Sequence, residues 1–531
     1  MLTIFLSIAA AAQDPAVRRL LPGDRDAPGC ALDVRRGGKI VEVSATGAAN
    51  LEDRTPIGPE TVFEIGSVSK QFIGAGLAIL ADRGQLSLDD PISKWLPELP
   101  PLYRRITIAM LAHHTSGIRS WNNLAELTGV GEDLTGYDNE WVLRAISLQH
   151  RLNNAPGTEY LYSNSNFVLA AIIIERASRE RLNDFFRNAL FARLGMTRTR
   201  WRTDFREIVL SRAQAYAPDG RGGWRLDMPF NNVAGAGGLL STVGDLQRWN
   251  AMLVQPTAGD RGWVAMLERP GHLSDGTTLR YGMGLETDSL SGIAALSHAG
   301  STASYRAWLG RVPTQQLSIA LLCNSGAVNT EDLGPELAAL FLPTSSQSLA
   351  RSPAPKPVSV TGDLAGRYRN VAYDASVEAN VDASGLHLNG GAGFGLDFTG
   401  RLATADSRRT IAVTRNGKGA LTSLSVTRIG NSTTVLVPVS AWRPSDSELR
   451  RLIGRYTTPE ILGIQHIELI QGKLIWRDPS GATHRLVPAY RDAFEAPGTA
   501  WTLRFRRARN GAPSGVDFSI ARARKITFYR R

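Results

Sequence analysis

Only seven lysines stand against 53 arginines in this chain of 531 residues, and one of them, Lys70, lies three residues after Ser67 in the stretch EIGSVSKQF. A serine hydroxyl is a weak nucleophile until a neighbouring base takes its proton. A spacing of three places hydroxyl and amine on one helix face, one turn apart. The surrounding residues predict such a helix. Gly66 permits a sharp entry, and apolar residues at Phe72, Ile73, Leu77, Ile79 and Leu80 run to a stop at Gly84. Unpaired N–H groups at the start of a helix favour negative charge on oxygen. A lysine buried there loses hydration, so its ammonium gives up a proton more readily. Ser-x-x-Lys alone is common by chance. The chain must also supply a second proton carrier and an oxyanion site.

Tyr-x-Asn could supply the carrier, and it occurs three times, at Tyr137–Asn139, Tyr162–Asn164 and Tyr368–Asn370. The first lies in a polar stretch and the third far along the chain. Tyr162 and Asn164 follow a turn signal, APGTEYL, and precede a strongly apolar helix, FVLAAIIIERAS, so they are the preferred pair. A third element should be an edge strand facing the serine. His298-Ala299-Gly300-Ser301 closes the run GIAALS and is the chain's only Lys- or His-x-Gly. Gly300 would let the backbone approach a substrate closely. His113 and His114 read as residues that hold a loop. The histidines show no ligand spacing, so no metal is expected. GAGGL at 235–239 lacks the strand and lysine of a nucleotide loop, so no cofactor is expected either.

The elements that must position these residues fall into blocks. Residues 1–12 are apolar and end in Ala10-Ala11-Ala12, small residues as at a signal cleavage site, which predicts export to a periplasmic or secreted location. Residues 13–342 alternate strand-like and helix-like runs. Residues 343–362 have the Pro/Ser content of a linker. Beyond it, short alternating runs separated by Gly, Asn and Asp predict all-β structure. LAGRY at 364–368 recurs as LIGRY at 452–456, which divides this region into barrels over 363–442 and 443–531. The two cysteines, Cys30 and Cys323, lie in strand-like runs and read as buried, inert thiols; if the N-terminal strand pairs antiparallel with a late strand of the same domain, the two could approach, and an oxidising compartment would permit a bond. The net charge is +11, with eight Arg and one Lys against one Asp in the last 31 residues. WTLRFRRAR alternates, however, so the basic residues form the outer face of a half-buried strand. Nucleic-acid binding is not expected. A weak attraction of this basic domain to an anionic envelope is the most such a face implies.

In order, SVSK, YSN and HAG resemble the motif set of the penicillin-recognising serine hydrolases. The Tyr-x-Asn form is similar to the class C β-lactamase branch, with its D-aminopeptidases, DD-carboxypeptidases and esterases. TVFEIGSVSKQF, LAHHTSGI, PGTEYLYSNSNF, LGMTRT, GAGGLLSTVGDLQRW and HAGSTASYR extend the likeness over about residues 28–342. The two β segments resemble the three-domain D-aminopeptidase arrangement. The resemblance implies a multidomain α/β (α+β) fold: an antiparallel sheet flanked by helices, then two small antiparallel β-barrels. It implies that Ser67 is acylated beside Lys70, and that Tyr162 shuttles protons. Asn164 would bond Lys70 or the substrate amide, and the N–H groups of Ser67 and Ser301 would form the oxyanion hole. The strand of His298 would pair with substrate. His298 replaces a lysine common in β-lactamases and penicillin-binding proteins. A neutral imidazole is a poorer anchor for a carboxylate, which turns the expectation toward an aminopeptidase or esterase. Aminopeptidase action needs an acceptor for an ammonium group, and Asp478 in the last barrel's loop WRDPSGATHR is the candidate.

The expected partner is a small peptide, amide or ester. The leading expectation is cleavage of peptides or amides with an amino-terminal D-residue. Esterase or β-lactamase-like/DD-peptidase action on the same site is the alternative, and a non-catalytic envelope binding protein is the rival of another class.

Overall fold

The computed structural model describes residues 14–131, 136–343, 362–390, 394–396, 402–404, 409–428 and 433–531. The expected signal peptide, 1–12, lies outside the described residues, as does all but the two ends of the expected linker, 343–362.

The strand-like run CALDV forms β1 (Cys30–Arg36) inside a six-stranded antiparallel sheet with β2 (Lys39–Ala45), β3 (Glu286–Leu290), β4 (Ile293–Thr302), β5 (Tyr305–Val312) and β6 (Leu317–Cys323). Its order is β3-β4-β5-β6-β1-β2, so the last strand of the domain pairs with its first. Side chains alternate between faces along β6. Leu317, Ile319 and Leu321 meet Leu333 and Leu337 of the helix Thr330–Leu340, while Ala320 and Leu322 join the larger core on the other face. A strand covered on both faces needs the unbroken apolar run SIALLC.

The β1–β6 register also decides the fate of the cysteines. Cys30 and Cys323 sit directly opposite one another and are joined by a disulfide. The inert-thiol expectation is therefore corrected, because pairing of first and last strands brings together residues 293 apart in sequence.

Between β2 and β3 the chain builds the helical layer. Helix α1 (Lys70–Asp82) is apolar nearly all round and lies in its centre, packed on α2 (Asn164–Ser178) and on the helix Arg261–Glu268.

The first C-terminal sheet is an eight-stranded closed barrel, from Gly366–Asn370 to Thr433–Pro438. The second is not a closed barrel. Its nine strands form an open, curled sheet whose ends are Thr483–Arg485 and Val487–Tyr490. Pro488 lacks an N–H and belongs on such an edge strand. The LxGRY repeat has one physical meaning in both sheets. The Tyr368 hydroxyl donates to the Leu364 carbonyl and the Tyr456 hydroxyl to the Leu452 carbonyl, each at 2.7 Å, tying the strand to the turn before it.

The open sheet is fastened to the catalytic layer. Its Phe494, Phe518 and Phe528 belong to the same buried cluster as Phe72 and Phe167. Buried Arg119 forms an ion pair with Glu460 and donates to the Arg524 carbonyl at 2.8 Å and the Lys525 carbonyl at 3.2 Å. Removing one side of such a buried pair costs about 3–5 kcal/mol, because it strands the other charge away from water.

Candidate active site

Gly66 and Gly300 set the site. Gly66 has φ +51°, and a Cβ there would lie 2.6 Å from the Ser301 nitrogen. A Cβ on Gly300 would lie 2.1 Å from the Ile65 carbonyl oxygen and 3.1 Å from the Ser67 nitrogen. Two stretches of backbone therefore pass in contact, and only glycine permits it. The contact brings the N–H groups of Ser67 and Ser301 to one place. β3 pairs with β4 only as far as Glu286–Ser297, so His298 to Thr302 have a free edge on that side. The strand of the HAG triplet is thus second in the sheet, with an open end where the site lies.

Ser67 occupies a 3-10 turn, Gly66–Ser69, that leads directly into α1. The Lys70 Nζ donates to the Ser67 Oγ at 3.0 Å and to the Ala236 carbonyl at 2.7 Å. Lys70 is fully buried. Ala236 lies in GAGGL, so that glycine cluster is a wall of the site and not a nucleotide loop. The pattern could have been read as close backbone packing, since glycines permit it.

The Lys70 Nζ lies 4.9 Å from the Tyr162 ring centre. Burial raises the phenol well above its usual range; the neighbouring Ser67 hydroxyl and the charge of Arg522 pull the other way. The hydroxyl is accordingly a proton donor in the resting site. His114 holds it there. The Ser163 N–H donates to His114 Nδ1 at 3.2 Å, the Leu161 N–H donates to the His114 carbonyl at 2.8 Å, and the imidazole packs 4.2 Å from the Tyr162 ring. The loop-holding reading of His114 thus applies to the loop that carries Tyr162.

Asn164 does not bond Lys70. Its Nδ2 donates to Asn122 Oδ1 at 2.8 Å, and its buried Oδ1 has no hydrogen-bond partner among the described residues. Asn164 lines a cavity of about 70 Å³ together with Ser67, Trp121, Asn122, Asn231 and Ser301. A larger cavity of about 450 Å³ lies between the two C-terminal sheets, beside Trp442 and Arg485. It contains no nucleophile–base pair, so the chemistry belongs at Ser67.

His298 is buried, and its Nε2 lies 2.9 Å from the Tyr281 hydroxyl. Burial, then the nearby charge of Lys70, push its pKa down to about 3 from the ordinary 6.5. It is neutral at pH 7 and positions Tyr281 and the strand edge. Between those two values the unfolded chain binds a proton that the folded protein refuses, so stability present above pH 6.5 is lost as pH falls toward 3. At about 1.36 kcal/mol per unit, some 2–3 kcal/mol is lost by about pH 4.5. Unfolding free energies from urea titrations at pH 7 and 4.5 should show a drop smaller by about that amount in His298→Gln than in wild type.

Asp478 is not in the site. Its Oδ1 accepts from the Ser480 N–H at 2.9 Å, the Ser480 hydroxyl at 2.6 Å and the Ala482 N–H at 3.1 Å, and its Oδ2 lies 3.2 Å from His484 Nε2. The carboxylate is consumed by its own turn, as Asp before Pro often is. A different turn of the last sheet reaches the site. The hairpin between Pro513–Ile520 and Ala523–Arg530 places the Arg522 guanidinium 4.9 Å from the Tyr162 ring centre. Sequence reading missed it, since Arg522 is one of eight arginines in a basic strand pair.

With this geometry in place, the likenesses to known proteins agree. Residues 12–341 match the beta-lactamase family. Penicillin-binding protein 4* of Bacillus subtilis is 26% identical over 311 residues, covering 54% of this chain and 66% of that one. D-aminopeptidase of Cereibacter sphaeroides (strain ATCC 17029 / ATH 2.4.9) is 26% identical over 532 residues, covering 96% of this chain and 97% of that one. Among solved structures, the octameric penicillin-binding protein homologue from Pyrococcus abyssi superposes with a TM-score of 0.54 at 23% identity, over 78% of this chain and 96% of that one; it shares the fold. The chain belongs to the beta-lactamase family and is a serine hydrolase.

Proposed function

We propose that the protein cleaves amides or short peptides with a small amino-terminal D-residue through an acyl-enzyme on Ser67. The observation that carries this reading is the Ser67–Lys70 hydrogen bond of 3.0 Å, with the Lys70 Nζ 4.9 Å from the Tyr162 ring centre. Lys70 takes the serine proton as Oγ bonds to the carbonyl carbon, and the oxyanion rests on the N–H groups of Ser67 and Ser301. The C–N bond then breaks. Tyr162 gives its proton to the leaving nitrogen and is reprotonated from Lys70, so the balance closes. Water, deprotonated along the same path, releases the acid and restores Ser67.

The small cavity beside Asn164 suits a methyl-sized side chain and an ammonium group, whose hydrogen the unpartnered Asn164 Oδ1 accepts. Full-length similarity to a protein named D-aminopeptidase favours the D-amino acyl class. The Cys30–Cys323 bond favours an exported enzyme in an oxidising compartment. The test compares D- and L-alanine p-nitroanilide, p-nitrophenyl acetate and a chromogenic cephalosporin. Turnover of the D-anilide well above the others supports the reading. Turnover of the ester or the cephalosporin without the anilide overturns the substrate assignment.

A further inference from the structure

The third domain presents a cation, not an anion, at the site. The backbone of the hairpin turn is pinned on both sides of Arg522. The Ser120 N–H and the Asn153 Nδ2 donate to the Arg522 carbonyl at 3.0 Å each, and the Arg524 N–H donates to Asn153 Oδ1 at 2.8 Å. Arg524 grips Glu159 with two bonds, at 2.7 and 2.6 Å. Every one of these contacts holds the turn, and none uses the Arg522 side chain. Its guanidinium is exposed, lies 4.9 Å from the Tyr162 ring centre, and has no hydrogen-bond or ion-pair partner among the described residues.

The side of the cleft on which it stands follows from the chemistry. The group that protonates the leaving nitrogen must touch it, so the leaving group lies beside Tyr162. Arg522 therefore stands over the leaving group. The carboxylate carbon of a single amino acid is about 2.5 Å from its own nitrogen, within the reach of a guanidinium packed on the Tyr162 ring. The other charges that act here are Arg428, from the closed barrel, Glu286, at the start of β3, and Glu331; Arg428 acts on Tyr160, Glu331 on Tyr162 and Glu286 on both. Glu159 is already spent on Arg524.

We propose that Arg522 is a specificity residue that binds the free carboxylate of a one-residue leaving group, so that the preferred substrates are dipeptides with an ionised C-terminus. This rests on the acyl-enzyme reading above, with Tyr162 beside the leaving nitrogen. It also assigns the third domain a part in substrate choice, which the turn around Asp478 does not have.

The experiment compares kcat/KM for D-alanyl-glycine and D-alanyl-glycinamide in wild type, Arg522→Gln, Arg522→Lys and Arg522→Glu, with fluorophosphonate labelling of Ser67 as the check that each site is intact. Wild type should prefer the free acid by about 10-fold or more. Arg522→Gln should bring the ratio to about one through KM, and Arg522→Lys should restore part of it. Arg522→Glu should favour D-alanine amides of ethylenediamine, whose leaving group carries an ammonium. A wild-type ratio near one, or a ratio unchanged in Arg522→Gln while Ser67 still labels, overturns the subsite and leaves the hydrolase reading standing. Failure of Ser67 to label in wild type overturns both.

Discussion

Lys70→Ala should lower kcat by about 10³–10⁴ while leaving the protein folded. No other described side-chain nitrogen is hydrogen-bonded to the Ser67 hydroxyl; the amine reaches it at 3.0 Å and is itself fixed by the Ala236 carbonyl at 2.7 Å. Tyr162 cannot substitute at neutral pH, because burial keeps its phenol protonated. Lys70→Arg should not rescue the rate. A guanidinium is always charged near neutrality and cannot accept the serine proton. The measurement is single-turnover acylation by a p-nitrophenyl ester, with circular dichroism to confirm folding. A folded Lys70→Ala that acylates within 10-fold of wild type would make Tyr162 the base.

Gly300→Ala should be the second large loss, about 10²–10³ in kcat/KM. The added methyl would lie 2.1 Å from the Ile65 carbonyl oxygen and 3.1 Å from the Ser67 nitrogen, both of them backbone atoms. Neither can swing aside as a side chain could, so strand and turn must separate. The N–H groups of Ser67 and Ser301 separate with them, and the oxyanion loses a donor. Acylation and deacylation should slow together, since both pass through the same oxyanion, whereas Lys70 and Tyr162 keep their own contacts. Stopped-flow rates for the two steps test this. A Gly300→Ala variant within threefold of wild type on both would show that the approach of β4 to the serine turn does not form the oxyanion site.

What was legible in the sequence was local. Ser67 and Lys70 lie one turn apart, and Tyr162 precedes a helix whose apolar residues announce it. A few residues of chain fix such relations. Gly66 was read as a sharp helix entry and Gly300 as a close approach to substrate; each proved to face the other's segment. Relations set by docking were not legible. Asp478 and Arg522 lie on turns of one sheet, and which turn meets the cleft depends on how Arg119 engages Glu460, 341 residues away in sequence. The cysteine pair depends on the register between the first and last strands of one sheet. The open second sheet depends on where the edges fall, for which Pro488 was a signal that the repeat concealed. Asn164 was expected to bond Lys70 or the substrate amide; its amide nitrogen bonds Asn122, and the Ala236 carbonyl accepts from the Lys70 amine.

The most direct measurement of the central claim is the intact mass of the full-length protein after incubation with a fluorophosphonate at neutral pH, followed by peptide mapping. Wild type should gain one adduct, on Ser67, Ser67→Ala none, and Lys70→Ala the same adduct at least about 10²-fold more slowly. An unlabelled wild type, or an adduct that forms equally fast on Ser67→Ala, would contradict the account.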